Sequence, residues 1–402
     1  MLLSIAMIFL VGILLSEIFK KLNLPGLLGM MLAGIIIGPF YLDLINSQLL
    51  DLSNDLRKLA LIVILIRAGL NLDLSSLRKI GKSSILISFL PATIEILVVT
   101  ILAPIFFDIS LLEAAMMGSI VAAVSPAVIV PRMIKLMESG HGDDKNIPQM
   151  IMAGASVDDI YVIIIFTSLL SVYNGQNFNA TQFLQIPISI LAGMILGILS
   201  GKILSWILKN AKVTPTLNSI ILFGSAIFIA SVEPILSGFF PVSTLLSIMI
   251  FSFIVKMDNT LLAIDLERHF KSIWSGAEIL LFVLLGVSID VVYLLKAGPL
   301  AITLILVALI FRIIGVNLAL VKSNLNNKER LFCSIAYLPK ATVQAAIGSI
   351  PLAMGVDAGG IILTVAALTI ILTAPLGAIG IDLTYDKLLS LPKLKEEFSY
   401  RD

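Results

Sequence analysis

The sequence has little charge and almost no cysteine. Only 13% of its 402 residues are Asp, Glu, Lys or Arg, against roughly 25% in a soluble domain. The formal net charge is +1, so the composition gives no sign of a nucleic-acid partner. A single cysteine, Cys333, excludes an intramolecular disulfide. These deficits argue against a soluble, charge-covered domain and against a disulfide-stapled one.

Long apolar runs take the place of the missing charge. Hydrophobic residues make up 58% of the chain, and the mean hydropathy is +1.07. An apolar run of about 20 residues crosses the hydrocarbon core of a membrane as a helix. We therefore predict an all-α polytopic membrane protein with about thirteen transmembrane helices. The predicted spans are 2–19, 25–40, 56–72, 81–107, 111–136, 147–173, 181–208, 214–232, 235–255, 270–289, 296–321, 329–354 and 358–381.

Basic residues concentrate in alternate loops between these spans. Lys20 and Lys21 follow the first span, Arg78 and Lys79 follow the third, and Lys322 follows the eleventh. Loops that carry Lys and Arg face the cytoplasm. The pattern predicts an N-terminus outside the cell and a C-terminus in the cytoplasm, in the inner membrane of a bacterium.

Two spans carry a proline in the middle. Pro126 follows Val124 and Ser125 in the fifth span, and Pro339 lies between Leu338 and Lys340 in the twelfth. If thirteen spans divide into six, a linker and six, these two spans occupy the same place in each half. We predict two inverted six-helix repeats whose two discontinuous helices cross near the midplane, where many secondary transporters bind their ions.

Two neighbouring aspartates, Asp158 and Asp159, lie midway along the sixth span. Each charged aspartate at that depth costs about 2.5–3.5 kcal/mol on insertion scales, so both need a partner or a purpose. Adjacent residues of a helix point about 100° apart. We expect one carboxylate to face a cavity and the other to face a neighbouring helix.

Oxygen atoms surround this pair in the sequence. Sodium is a hard cation that prefers oxygen ligands, and a proline inside a helix frees backbone carbonyls. A carboxylate in apolar surroundings also holds a proton more readily than one in water. Proton and sodium then compete for one site, which is sufficient for exchange. The predicted ion- and proton-binding residues are Asp159, Asp158, Ser125, Val124 and Ser156.

Other charges lie within predicted spans. Glu95 in the fourth span and Arg312 in the eleventh hold matching repeat positions, and we expect them to form a structural ion pair. Lys340, at the second break, either neutralises the negative end of a half-helix or bonds Asp158 and releases a proton when sodium arrives. Arg67, near the end of the third span, is expected to extend to the membrane interface.

Five stretches of the chain resemble the cation–proton antiporters, specifically the NHA-type sodium/proton antiporters of the CPA2 branch. The stretches are 27–34 (LLGMMLAG), 66–73 (IRAGLNLD), 123–131 (AVSPAVIVP), 156–160 (SVDDI) and 339–345 (PKATVQA). The resemblance implies a bacterial homodimer in the lipid membrane that exchanges Na⁺ or Li⁺ for H⁺ by an elevator-type movement. It places the ion-binding aspartate of the family at Asp159 and its neighbour at Asp158.

The resemblance also implies a division of each protomer. A dimerisation panel comprises 1–75 and 213–290, and a mobile ion-transport core comprises 76–175 and 291–384. A linker helix lies in 176–212, and a cytoplasmic tail in 385–402. We expect no enzymatic activity and no cofactor besides the transported ions.

Alternative functions share some of these features. A potassium/proton antiporter would use the same fold and the same aspartates. A sodium-coupled organic-anion symporter has a related fold, although the aspartate pair argues against it. An intramembrane aspartyl protease needs two aspartates from different helices at one water, which adjacent residues of one helix do not provide. A passive channel would move ions without returning protons.

Overall fold

The computed structural model describes residues 1–71, 82–173, 180–210, 213–232, 235–236 and 242–390. Within these ranges the regular structure is helical, without a strand, which confirms the predicted all-α class. The basic loop of Arg78 and Lys79, and the tail after residue 390, lie outside the described residues.

Sixteen α-helices are numbered here in chain order. They are α1 (Leu2–Lys21), α2 (Gly26–Ile37), α3 (Ser47–Asn71), α4 (Lys82–Phe107), α5 (Leu111–Ala122), α6 (Pro126–Ser139), α7 (Ile147–Val172), α8 (Ala180–Asn210), α9 (Pro215–Ser231), α10 (Thr244–Asp258), α11 (Thr260–Val287), α12 (Val291–Leu320), α13 (Asn327–Ala336), α14 (Thr342–Ile347), α15 (Ile350–Ala353) and α16 (Gly359–Leu388). A short 3₁₀ turn, Asp143–Lys145, precedes α7.

Eight segments of the described residues are long and apolar enough to cross a membrane, so the chain is a multi-pass membrane protein. Every predicted span overlaps at least one helix, and the span 329–354 overlaps three, α13, α14 and α15. The number thirteen stays a prediction, because some helices are short or carry charge. For example, α10 has 15 residues, and the first half of α3 contains Asp51, Asp55, Arg57 and Lys58.

Two helices are interrupted at the predicted prolines. The first interruption separates α5 from α6 at residues 123–125, and the second separates α13 from α14 at residues 337–341. Pro126 occupies the first turn of α6, where its missing N–H leaves no bond unmade. The backbone N–H of Ser125 donates to the carbonyl oxygen of Pro339 at 2.8 Å. The two broken helices therefore meet at their breaks, which agrees with the predicted crossing of two discontinuous helices.

Around this crossing, α4 packs along α12, and α5, α7 and α16 complete the surrounding helices. A second group forms where α1, α2, α3, α10 and α11 pack together. Within it, Gly34 of α2 and Gly286 of α11 lie where the two backbones touch, and a Cβ on either residue would meet the backbone of the opposite helix. The glycine-rich α2 thus brings helices closer than larger residues allow.

Candidate ion-binding site

A buried cluster of charges fills the crossing. The ammonium of Lys340 lies 2.7 Å and 2.6 Å from the two carboxylate oxygens of Glu95. The guanidinium of Arg312 reaches the same carboxylate at 2.8 Å. All three side chains are fully buried. The predicted Glu95–Arg312 pair is thus present, with a lysine added to it.

Lys340 bonds Glu95 rather than Asp158, so one of its two predicted arrangements is not observed. The reason is the position of the second break. That break holds the lysine at the C-terminal end of α5, where its ammonium donates to the carbonyl oxygen of Ala122 at 3.2 Å. Glu95, on α4, faces the same end. The lysine thereby neutralises the negative end of a half-helix, its other predicted arrangement.

The remaining carbonyls at the end of α5 also find donors. Arg312 donates to the carbonyl oxygen of Ala122 and, at 2.7 Å, to that of Tyr337. The amide of Gln344 donates to the carbonyl oxygen of Ile120 at 2.8 Å. A helix C-terminus leaves four carbonyls without intrahelical partners. Two cations and one amide supply partners here.

Asp158 is part of this cluster. Its side chain is fully buried, and one carboxylate oxygen accepts the backbone N–H of Val124 at 2.8 Å. The guanidinium of Arg312 lies 3.3 Å from that oxygen and 3.4 Å from the other. Val124, predicted to offer a carbonyl to the ion, instead contributes its N–H to this aspartate.

Asp159 faces away from the cluster and into a cavity of about 660 Å³. One of its carboxylate oxygens, Oδ1, is buried and has no hydrogen-bond partner among the described residues. The cavity lies between α3 and α11 on one side and α6, α7 and α14 on the other. Its polar lining residues besides Asp159 are Arg67, Asn71, Glu267, Lys271, Glu278 and Thr342.

Thr342, which the sequence analysis did not select, lines the cavity. Ser125, which it did select, is fully buried behind that residue. The two hydroxyl oxygens are 3.1 Å apart. The difference arises because α14 restarts at Thr342 and turns its first side chain toward the cavity. Ser156 lies in α7, and its side chain is outside the described part of the chain.

Arg67 also lines the cavity, and its extension to the membrane interface stays a prediction. Its guanidinium lies over the ring of Trp274, 5.6 Å from the centroid, an arrangement that favours a cation. Glu278, half-buried one turn further along α11, lines the same wall. The wall opposite Asp159 therefore carries charge of both signs.

This arrangement has the chemistry of a site for one small cation. Asp159 and Thr342 line the same accessible cavity, and the buried Oδ1 of Asp159 has no hydrogen-bond partner among the described residues. The described residues contain no group of three His, Cys, Asp or Glu side chains that could hold a resident metal ion.

Comparison with known proteins identifies the family. The family model described as "Sodium/hydrogen exchanger, transmembrane" matches residues 5–385. This chain belongs to the sodium/hydrogen exchanger family. Sodium/hydrogen exchanger 9B2 of Mus musculus is 33% identical to it over 389 residues, which cover 93% of this chain and 70% of the mouse protein. Sodium/hydrogen exchanger 9B1 of Homo sapiens is 31% identical over 381 residues, or 91% and 73% of the two chains.

The exchanger also resembles a solved structure in its fold. The sodium proton antiporter MjNhaP1 from Methanocaldococcus jannaschii, solved at pH 8, superposes with a TM-score of 0.81. The superposition covers 96% of this chain and 97% of that one, at 19% sequence identity. Family and fold together confirm the predicted kinship with sodium/proton antiporters at the level of the family.

Proposed function

We propose that this exchanger moves Na⁺ or Li⁺ in one direction and H⁺ in the other, and that both ions bind Asp159 in turn. The observation that carries the proposal is the contrast between the two aspartates. Asp158 is bonded to Arg312 and to the backbone of the first break, whereas Asp159 lines the cavity and its buried Oδ1 has no partner among the described residues. Membership of the sodium/hydrogen exchanger family supports the choice of ions.

Competition at one carboxylate accounts for the exchange. The wall beside Asp159 includes Val157 and Ile160, so an unneutralised charge there is costly. A sodium ion or a proton removes that cost, and the binding of one disfavours the other. Sodium takes oxygen ligands, and Thr342, a further oxygen-bearing residue, lines the same cavity. If Asp159 crosses the membrane only when its charge is neutralised, it carries sodium in one direction and a proton in the other.

Asp158 has a different part in this proposal. Its bonds to Val124 and Arg312 favour a positioning role, in which it fixes the first break next to the ion. Glu95, Arg312 and Lys340 hold the two breaks together as a structural unit. The coupling role of Lys340 is then not required for exchange.

The cavity supports an alternating-access movement. Its walls come from α3 and α11, which belong to the predicted panel, and from α6, α7 and α14, which belong to the predicted core. We propose that the core moves like an elevator against the panel of a homodimer, with α8 as the linker. The exposed Lys271 and Glu267 line the cavity, and the basic residue is consistent with an opening to the cytoplasm. We further propose that the N-terminus lies outside a bacterial inner membrane. We also propose that the chain belongs to the NHA-type group of the CPA2 branch.

Proton flux from acid-loaded proteoliposomes tests the function directly. Sodium, lithium or potassium is added outside vesicles that contain the native chain, Asp159→Asn or Asp143→Asn. The last variant is a matched control, because Asp143 is exposed in the turn before α7. We expect sodium and lithium to dissipate the gradient in the native chain and the control, but not in Asp159→Asn.

Other results would change the proposal in defined ways. Flux with potassium alone would replace the sodium assignment with potassium/proton exchange. Equal flux in the native chain and Asp159→Asn would remove Asp159 from the ion site. No proton flux with any cation would rule out exchange and turn attention to sodium-coupled symport of an organic anion.

A further inference from the structure

The end of α7 beyond Asp159 is closed by two layers of different chemistry. The first layer is apolar and consists of Ile160 of α7 with Leu246 and Met249 of α10, all buried. Ile164, one turn further along α7, packs against them. On this side, therefore, α7 is sealed against α10 by side chains that exclude water and ions.

The second layer lies one to two turns further along α7 and consists of paired hydroxyls. Thr167 of α7 lies 2.5 Å from Ser243 at the start of α10, oxygen to oxygen. Ser171 of α7 lies 2.8 Å from Ser189 of α8. Thr167 and Ser243 are 5% and 1% exposed, so water does not replace this bond in the closed arrangement.

The partners of α7 in this layer, α8 and α10, pack against each other more closely than either packs against α7. A Cβ built on Gly193 of α8 would lie 2.6 Å from the carbonyl oxygen of Ser243. One on Gly197 would lie 2.7 Å from that of Ser247. The Ser247 hydroxyl also donates to the carbonyl oxygen of Gly193 at 2.9 Å. Such backbone contact at small residues leaves no room for α8 and α10 to slide. The hydroxyl pairs thus join α7 to an immobile two-helix unit.

We propose that the Thr167–Ser243 and Ser171–Ser189 pairs form a latch that holds α7 against α8 and α10 while the cavity to Asp159 is open. The inference rests on the proposed alternating-access function. A hydroxyl pair suits a contact that must part in every cycle, because its net contribution is small and water satisfies both hydroxyls afterwards. The apolar layer blocks ions, and the latch sets how often that layer opens.

The latch is tested by the accessibility of single cysteines, which does not depend on transport. Each variant is made in a chain with Cys333 replaced by alanine. Labelling of Ile164→Cys measures opening of the apolar layer, and labelling of Ala153→Cys measures access to the cavity. Thr167→Val removes the hydroxyl at nearly constant volume. In the Thr167→Val background, we expect a membrane-impermeant maleimide to label Ile164→Cys about two to ten times faster from the side opposite the cavity. Labelling of Ala153→Cys from the cavity side should fall correspondingly.

Three further variants make the test specific. Ser243→Ala removes the other half of the pair and should have the same effect, with no further increase in the double variant. Thr167→Ser retains the hydroxyl and should label like the native chain. Ser252→Ala is the matched control, because the buried Ser252 hydroxyl of α10 bonds, among the described residues, only within its own helix, to the carbonyl oxygen of Ile248.

Native labelling rates in both Thr167→Val and Ser243→Ala would overturn the latch, as would an equal increase in Ser252→Ala. Either result would leave the proposed exchange intact, provided that the native chain moves protons on addition of sodium. The absence of proton flux, with the labelling changes present, would instead overturn the exchange and retain the latch.

Discussion

Asp158 and Asp159 are consecutive residues of α7, and their surroundings differ in almost every respect. Asp158 accepts a backbone N–H and lies beside the guanidinium of Arg312. Asp159 lies at the wall of a cavity, with one oxygen that has no partner among the described residues. The rotation of about 100° between adjacent helical residues separates the two regions. One helix thereby serves a permanent charge cluster and a site that must be filled and emptied.

The charges of the two regions can be counted. The crossing contains two carboxylates, Glu95 and Asp158, and two cations, Arg312 and Lys340, joined by direct ion pairs. The cluster is therefore balanced, and Asp159 adds a single negative charge beside it. One monovalent cation or one proton neutralises that charge. Under the proposed function, the balanced cluster serves structure and the surplus charge of Asp159 serves exchange.

Removal of a cation from the balanced cluster should have the largest effect. Arg312→Ala leaves Glu95 and Asp158 short of a buried partner, and breaking a buried ion pair in this way costs about 3–5 kcal/mol. We expect a collapse in the yield of folded protein or a large drop in the thermal unfolding temperature in detergent. Arg132→Ala is the control, because Arg132 pairs with the half-exposed Asp382, and such a pair contributes about 0–1 kcal/mol. Equal losses in the two variants would contradict the structural role of the cluster.

The two aspartates should respond in opposite ways to the same substitution. Asp158→Asn weakens hydrogen bonds made by a charged group and should cost about 1.5–3 kcal/mol of stability. Asp159→Asn removes a charge without a partner and should leave the unfolding temperature equal or higher. Sodium-driven proton flux should disappear in Asp159→Asn. A stable Asp158→Asn with no flux would show instead that both carboxylates bind the ion.

The end of α5 should be sensitive to the loss of one amide. Gln344→Leu keeps the approximate volume but leaves the carbonyl oxygens of Ile120 and Ala123 without their donor, each now at 2.8 Å. Buried unsatisfied groups cost about 1–3 kcal/mol, which should appear as a lower unfolding temperature. Gln149→Leu is the control, because Gln149 bonds the exposed Asp143. A native unfolding temperature in Gln344→Leu would mean that other donors replace the amide.

The smallest effect is expected from membrane voltage. If Asp159 carries the only charge that changes partner, one proton is exchanged for one sodium ion and no net charge crosses the membrane. The initial rate of sodium-driven proton flux in proteoliposomes should then be unchanged when a potassium diffusion potential is imposed with valinomycin. A rate that follows the sign of the potential would mean that a second proton is carried, with Lys340 or Asp158 as the group that releases it.

Much of the fold was predictable because its signals are local. Apolar runs predict the helices, and Pro126 and Pro339 predict where two of them break. Adjacent aspartates within a long apolar run also identify a candidate site from the sequence. The parts that were missed depend on which helices meet. The bond between Lys340 and Glu95 depends on the way α4 packs beside the crossing. The position of Thr342 in the cavity wall depends on the residue at which α14 restarts.

The pairing of the central charges also has a consequence for how the protein is made. Arg312 follows its partner Asp158 by 154 residues and Glu95 by 217. At roughly 5–20 residues per second, the ribosome needs on the order of ten seconds or more to supply the later residue. During that interval Glu95 and Asp158 lack the guanidinium that pairs with both of them in the folded protein. The nascent chain must therefore keep their helices at the insertion machinery until the second half of the protein arrives to complete the cluster.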